Sequence, residues 1–121
     1  MSRRHWRERI GDILSAVEEI RSFTRDMDQA SFAEDARTQK AVLADFSIIG
    51  EAAAHVPDAI VAAHPEIPWR DMREMRNFVV HVYFSVDSAI LWTTIQDDLP
   101  TLAVALTALL RSGGGDPLGA S

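Results

Sequence analysis

The chain has 121 residues, 47% of them apolar and 25% charged, with no cysteine and a net charge of −6. That is enough chain for one domain around a single core, its composition is globular rather than disordered, and disulfide scaffolds, thiolate metal sites and cysteine nucleophiles are excluded. No apolar run reaches the ~18 residues needed to span a bilayer, and the basic start MSRRHWRERIGD has no apolar stretch behind it, so a cytoplasmic protein without a membrane segment is expected. Eleven arginines and a single lysine (Lys40) face 18 acidic residues, so any contact with a polyanion has to be local.

Apolar residues at Trp6, Ile10, Ile13, Leu14, Val17 and Ile20 recur three and four apart and predict a first amphipathic helix over roughly 3–25. Ser31 and Glu34 have capping-box spacing, which predicts a helix start there. The stripe through Val42, Leu43, Phe46, Ile49 and Ala53 extends that second helix to near His55. Pro57 and Pro68 suit first helical positions, where the missing N–H is not needed, and PDAIVAAH between them reads as a short connecting helix. From Pro68 a third long helix carries Met72, Met75, Phe78, Val79 and Val82 on one face. Ser85 or Asp87 caps a last helix along Leu91, Ile95, Leu99, Leu102, Leu106 and Leu109, which Pro100 should kink or split. No strand alternation and no repeat is present. The expected fold is an all-α bundle of four main helices plus short ones, with a helical domain over 1–111 and a flexible Gly-rich tail over 112–121.

Most familiar chemistry is missing. There is no G-x-S-x-G, no Walker sequence and no H-E-x-x-H. Glu51 and His55 could share a helix face, but a di-iron bundle needs Glu-x-x-His on two helices and further carboxylates, so no metal or other cofactor is expected. His5 reads as part of a solvated basic face and His64 as a loop residue. His81 keeps different company. Arg73, Asn77 and His81 lie at i, i+4 and i+8 along one helix face, with Arg76 and Tyr83 nearly in line on a neighbouring one. Arg76 and His81 stand about 140° apart on an ideal helix, so one undistorted helix cannot aim both at one atom. Two copies facing each other could. From spacing alone, a satisfied helix-end histidine among surface arginines is the better supported reading.

The residue types suffice for cleaving an RNA phosphodiester without a metal. Imidazole can take the 2′-OH proton or return one to the 5′-oxygen, guanidinium donors can hold the phosphate oxygens as charge builds, and the Asn77 amide can brace either group.

The segment Arg76-Asn77-Phe78-Val79-Val80-His81-Val82-Tyr83 resembles the R-x4-H-x-Y signature of HepT-like toxins, a branch of the HEPN ribonuclease superfamily. Thr38–Val42, Ile48–Ala53, Pro65–Arg70 and Asp97–Leu102 resemble family blocks in the same order, so the likeness covers roughly residues 6–110. The resemblance implies a HEPN-type helical bundle that forms a homodimer with its two motifs facing one cleft. It implies a metal-independent endoribonuclease acting on RNA, the toxin of a two-gene module. Its partner would be a minimal nucleotidyltransferase antitoxin that attaches AMP to the motif tyrosine. Carried over, Arg76 and His81 would be catalytic, Tyr83 the modified residue and Asn77 the usual polar neighbour; Arg73 is added as a supporting residue from its helical spacing alone. The alternative is a non-catalytic HEPN module that partners a nucleotidyltransferase, but retention of Arg76, His81 and Tyr83 favours the enzyme.

Overall fold

Trp6, Ile10, Ile13, Val17 and Ile20 are all buried along one side of helix α1 (Trp6–Thr24), as their spacing requires. The computed structural model describes residues 5–77 and 88–112. His5 is exposed but not idle: its Nδ1 accepts a hydrogen bond from the Arg7 amide at 3.1 Å and caps α1, satisfying one of the orphan donors of the first turn. Arg7 in turn donates to the Leu110 carbonyl, tying the first helix to the end of the chain's last one.

The second helix predicted from Ser31 to His55 is in fact two, α2 (Gln29–Ala33) and α3 (Ala36–Ala54). The cause is a pair of aspartates. Asp28 caps α2, accepting from the Ser31 amide at 2.8 Å while Ser31 Oγ accepts from the Asp28 amide at 3.0 Å, so Ser31 closes the capping box instead of opening it. Asp35 then caps α3 by accepting from the Thr38 amide at 2.9 Å. Gln39 joins the two pieces. Its buried amide donates to the carbonyls of Phe32 at 2.8 Å and Ala33 at 3.1 Å at the C-terminal end of α2.

Helix α4 (Asp58–Ala63) is the short connector, and Pro57 and Pro68 precede α4 and α5 (Trp69–Glu74) as caps rather than filling their first positions. Trp69, itself buried, donates its indole N–H to the His64 carbonyl at 2.9 Å and fixes the entry to α5. The third helix expected from Pro68 is interrupted at Met75–Asn77, which tighten into a 3-10 turn. Phe78, Val79, His81, Val82, Tyr83, Ser85 and Asp87 lie outside the described residues. The last stretch contains α6 (Ser88–Thr93), a π-helical segment at Thr94–Asp98 and α7 (Leu99–Arg111). Pro100 has no N–H to return to the carbonyl four residues back, and the wider turn before it absorbs the mismatch, the Leu99 amide reaching back five residues to the Thr94 carbonyl. The predicted line Leu91, Ile95, Leu99, Leu102, Leu106 and Leu109 is buried throughout.

The fold is all-α, with no strand among the described residues. Helix α1 packs along α3 and also touches α7; α2 bridges α3 and α6; α5 and the 3-10 turn lie on α3. Among the described residues no helix is long and apolar enough to cross a membrane.

One carboxyl sits inside this packing. Asp45 on α3 is 2% exposed, and its Oδ2 has no hydrogen-bond partner. Burial, with a hydrogen bond to Glu19 of α1 and repulsion from its charge, pushes the Asp45 pKa up to about 7 from an ordinary 3.8. The folded state therefore holds a proton that the unfolded state has released between those two values. Stability from this group is complete below pH ~4 and is lost as pH rises toward ~7. Asp45→Asn, neutral at every pH, should raise Tm at pH 8 by at least ~4 °C, about 1 kcal/mol. The gain should shrink steadily as the pH of the melt is lowered to 4.

Candidate active site

Two predicted site residues share the tightened turn. Arg76 and Asn77 are exposed, and Arg73 precedes them at the end of α5. The expectation that Arg73 and Asn77 line one open face is corrected by the winding. Over the 3-10 turn each residue advances by about 120°, which carries Asn77 off the line through Arg73. Arg73 is half-buried, with its Nε lacking a partner. The angles of an ideal helix accordingly do not describe this segment. His81 and Tyr83 lie outside the described residues.

Helix α3 holds the turn from below, through residues 50 and 51. Gly50 is buried, and a Cβ built there would lie 2.9 Å from the Arg76 backbone nitrogen, 3.0 Å from Arg76 Cβ and 3.1 Å from the Arg73 carbonyl oxygen. Only a residue without a side chain lets the two backbones meet this closely. Its neighbour Glu51 then reaches the guanidinium, which donates from Nη1 to Oε2 at 3.3 Å. Both side chains are about half exposed, 49% for Arg76 and 59% for Glu51, so the pair contributes at most ~1 kcal/mol to stability. What it supplies is aim. One edge of a planar guanidinium is engaged by a carboxylate, and its other N–H donors remain available to an anion.

Glu51 is the site residue that spacing missed. It stands 25 positions from Arg76, and the sequence marks it only as a possible partner for His55 and as a member of the Ile48–Ala53 block, with no role in the site. That pairing exists in weak form: His55 Nδ1 lies 2.8 Å from the Glu51 carbonyl and 3.9 Å from Oε1. His64 lies in a loop with Nδ1 3.5 Å from Glu66. Among the described residues no group of three or more His, Asp or Glu side chains is placed to hold a metal ion.

Comparison with known proteins bears on this geometry. A model of the family described as "Ribonuclease HepT-like" matches residues 13–109. This chain belongs to the HepT-like ribonuclease family. It is similar to a Thermococcus cleftensis protein named "Probable ribonuclease HepT", with 43% identity over 102 residues, covering 84% of this chain and 92% of the other. Two Methanocaldococcus jannaschii proteins named "Putative RNase" are 33% identical over 105 residues (87% of each chain) and 31% identical over 102 (84% and 94%). No solved structure gave a significant match. Membership makes the chain a ribonuclease, and the matched span contains α3, the 3-10 turn, α6, the π-helical segment and all but the last two residues of α7.

The contact at Gly50 can be tested against the other helical glycine. A Cβ at Gly11 would meet nothing within 4 Å, so Gly11→Ala should stabilise by ~0.5–1 kcal/mol through helix propensity alone. Gly50→Ala gains the same propensity but drives a methyl into backbone that cannot step aside, and overpacking of this kind costs ~1–3 kcal/mol. Thermal melts of the two variants should move in opposite directions.

Proposed function

We propose that this ribonuclease cleaves RNA without a metal, using Arg76 and His81 from two copies of the chain across a homodimer cleft, and that it is the toxin of a toxin–antitoxin pair. The observation that carries the reading is the placement of Arg76. An exposed guanidinium on a tightened turn, braced by Glu51 and by the Gly50 contact, is a preorganised anion donor, and such donors act on charge that develops in the transition state. In the proposed reaction the imidazole of His81 accepts the 2′-hydroxyl proton as that oxygen attacks phosphorus, and the bond to the 5′-oxygen breaks. The leaving oxygen gains a proton, giving a cyclic phosphate and a 5′-hydroxyl. Arg76 holds the phosphate oxygens, Asn77 offers its exposed amide beside them, and Arg73 supports the turn from its half-buried place.

Cleavage of RNA by the purified chain in EDTA tests this directly. Loss of a positioned acid–base costs about 10²–10⁴ in rate and loss of a phosphate donor about 10²–10³. His81→Ala and Arg76→Ala should show these losses with melting temperatures within a few degrees of wild type. Cleavage that EDTA abolishes, or that survives His81→Ala, contradicts the mechanism.

Control rests on Tyr83, two residues beyond His81, and on a minimal nucleotidyltransferase as antitoxin. AMP on the phenol would bring a negative phosphodiester and a bulky nucleoside to the cleft. Its phosphate would compete for the guanidinium donors and repel the substrate. Co-expression with a cognate minimal nucleotidyltransferase should add whole AMP units to the Tyr83 peptide, detected by mass spectrometry, and the modified protein should be inactive. A Tyr83→Phe chain that gains no AMP but is still fully inhibited would mean control by masking alone.

A further inference from the structure

Along the seam between α1 and α7, three exposed arginines border two adjoining hollows. A cavity of about 310 Å³ is lined by Glu18, Arg21, Arg25 and Gln96 with Pro100 at its edge. It shares Arg21 and Pro100 with a shallower groove of about 610 Å³ that runs over Ala103, Val104 and Ala108 to Arg111. Arg21, Arg25 and Arg111 are all exposed. Elsewhere Arg7 donates to the Leu110 carbonyl, Arg70 pairs with Glu74, and Arg76 with Glu51. The three guanidiniums of the seam have no ion pair among the described residues, although Glu18 lines the same cavity. In a chain of net charge −6, unneutralised positive charge gathered on one groove is a local departure from the average field, and concave surfaces concentrate such fields.

We propose that this seam binds the phosphate backbone of an RNA strand, as a docking site separate from the Arg76 turn, which lies on α3. The inference rests on the chain's being a ribonuclease. A net-negative protein has to obtain RNA affinity from a few localised cations, since each phosphate contact releases condensed counterions. Arg21 and Arg25 are four apart and so lie side by side on one helix face. Arg111 stands at the far end of the groove, and the guanidinium fork matches phosphate oxygens better than an ammonium does. Between them the groove floor is apolar, with Val104 72% exposed, a surface suited to the flat faces of unpaired bases rather than to a second row of phosphates. The π-helical segment contributes Gln96 at the other end, whose amide can hydrogen-bond to ribose or a base edge.

The test measures binding apart from cleavage. A fluorescein-labelled single strand of about 20 nucleotides, fully 2′-O-methylated, lacks the attacking hydroxyl, so its anisotropy reports affinity whether or not Arg76 and His81 do the chemistry. Affinity is measured across a salt series for wild type, for Arg21→Gln/Arg25→Gln/Arg111→Gln, and for a charge-matched control, Arg37→Gln/Lys40→Gln/Arg70→Gln. Three lost phosphate contacts on a single strand should flatten the slope of log K against log salt by about 2 and weaken binding at least tenfold at low salt. The control should keep the wild-type slope. An unchanged slope in the seam variant, an equal loss in the control, or no binding by wild type overturns the proposal. Failure of wild type to cut unmodified RNA would instead count against the ribonuclease reading, so the two failures are separable.

Discussion

The closest approach that organises the site is between two backbones, not two side chains. Helix α3 meets the Arg73–Arg76 segment at Gly50, where the gap is too small for even a methyl group. A contact of this kind is stiff. Side chains can change rotamer to relieve a strain, but a peptide nitrogen and a carbonyl oxygen move only if their helix moves. Because the contact falls on the Arg76 nitrogen itself, the direction in which that side chain leaves the turn is set by α3. Glu51, the next residue along α3, is then brought within 3.3 Å of the guanidinium. Weak as an exposed ion pair is, it acts on a side chain whose root is already fixed, so little rotamer freedom has to be lost for the guanidinium to be aimed.

The same helix is where the protein tolerates its least comfortable group. Asp45 is five residues before Gly50, buried, with one oxygen lacking a partner and its pKa pushed up to about 7. Burial of a carboxylate is expensive unless it is paired, and here the nearest charge is another carboxylate. A buried polar group of this sort adds nothing to stability at neutral pH. Its effect is to make the α1–α3 contact sensitive to protons, along the helix that also supports the arginine turn.

Apolar periodicity predicted the helices well because burial follows it closely. The stripes of α1 and α3, apart from a partly buried Leu14, and the long line from Leu91 to Leu109 are in the core. What periodicity could not supply was the placement of breaks. Asp28 and Asp35 each cap a helix, and two caps seven residues apart can only mean two helices. Yet Ser31 and Glu34 also have capping-box spacing, and nothing local says which pair closes. The π-helical segment before Pro100 was foreseeable as a disturbance but not in kind. The site divided similarly. Arg73, Arg76 and Asn77 stood out because they interrupt an apolar face. Glu51 and Gly50 did not, since their roles come from a contact spanning 25 residues, and a glycine in a helix looks like a mere weakness until the neighbouring backbone is seen. The shared face of Arg73 and Asn77 failed for a related reason: a change of winding over three residues leaves hardly any trace in composition.

The preference for arginine over lysine, eleven to one, becomes intelligible in the same physical terms. A lysine ammonium is a strongly hydrated point charge, whereas a guanidinium is planar, weakly hydrated and able to engage two partners from different edges. Arg7, Arg70 and Arg76 use that geometry against different acceptors: a main-chain carbonyl at Leu110, a carboxylate one turn away at Glu74, and a carboxylate on another helix at Glu51. In the last case the second edge matters most. A side chain that binds Glu51 through Nη1 can keep donors for a phosphate, while an ammonium drawn to the same carboxylate would leave its charge largely neutralised at one point. An acidic ribonuclease with few cations has reason to use the type that can be held and can bind at once.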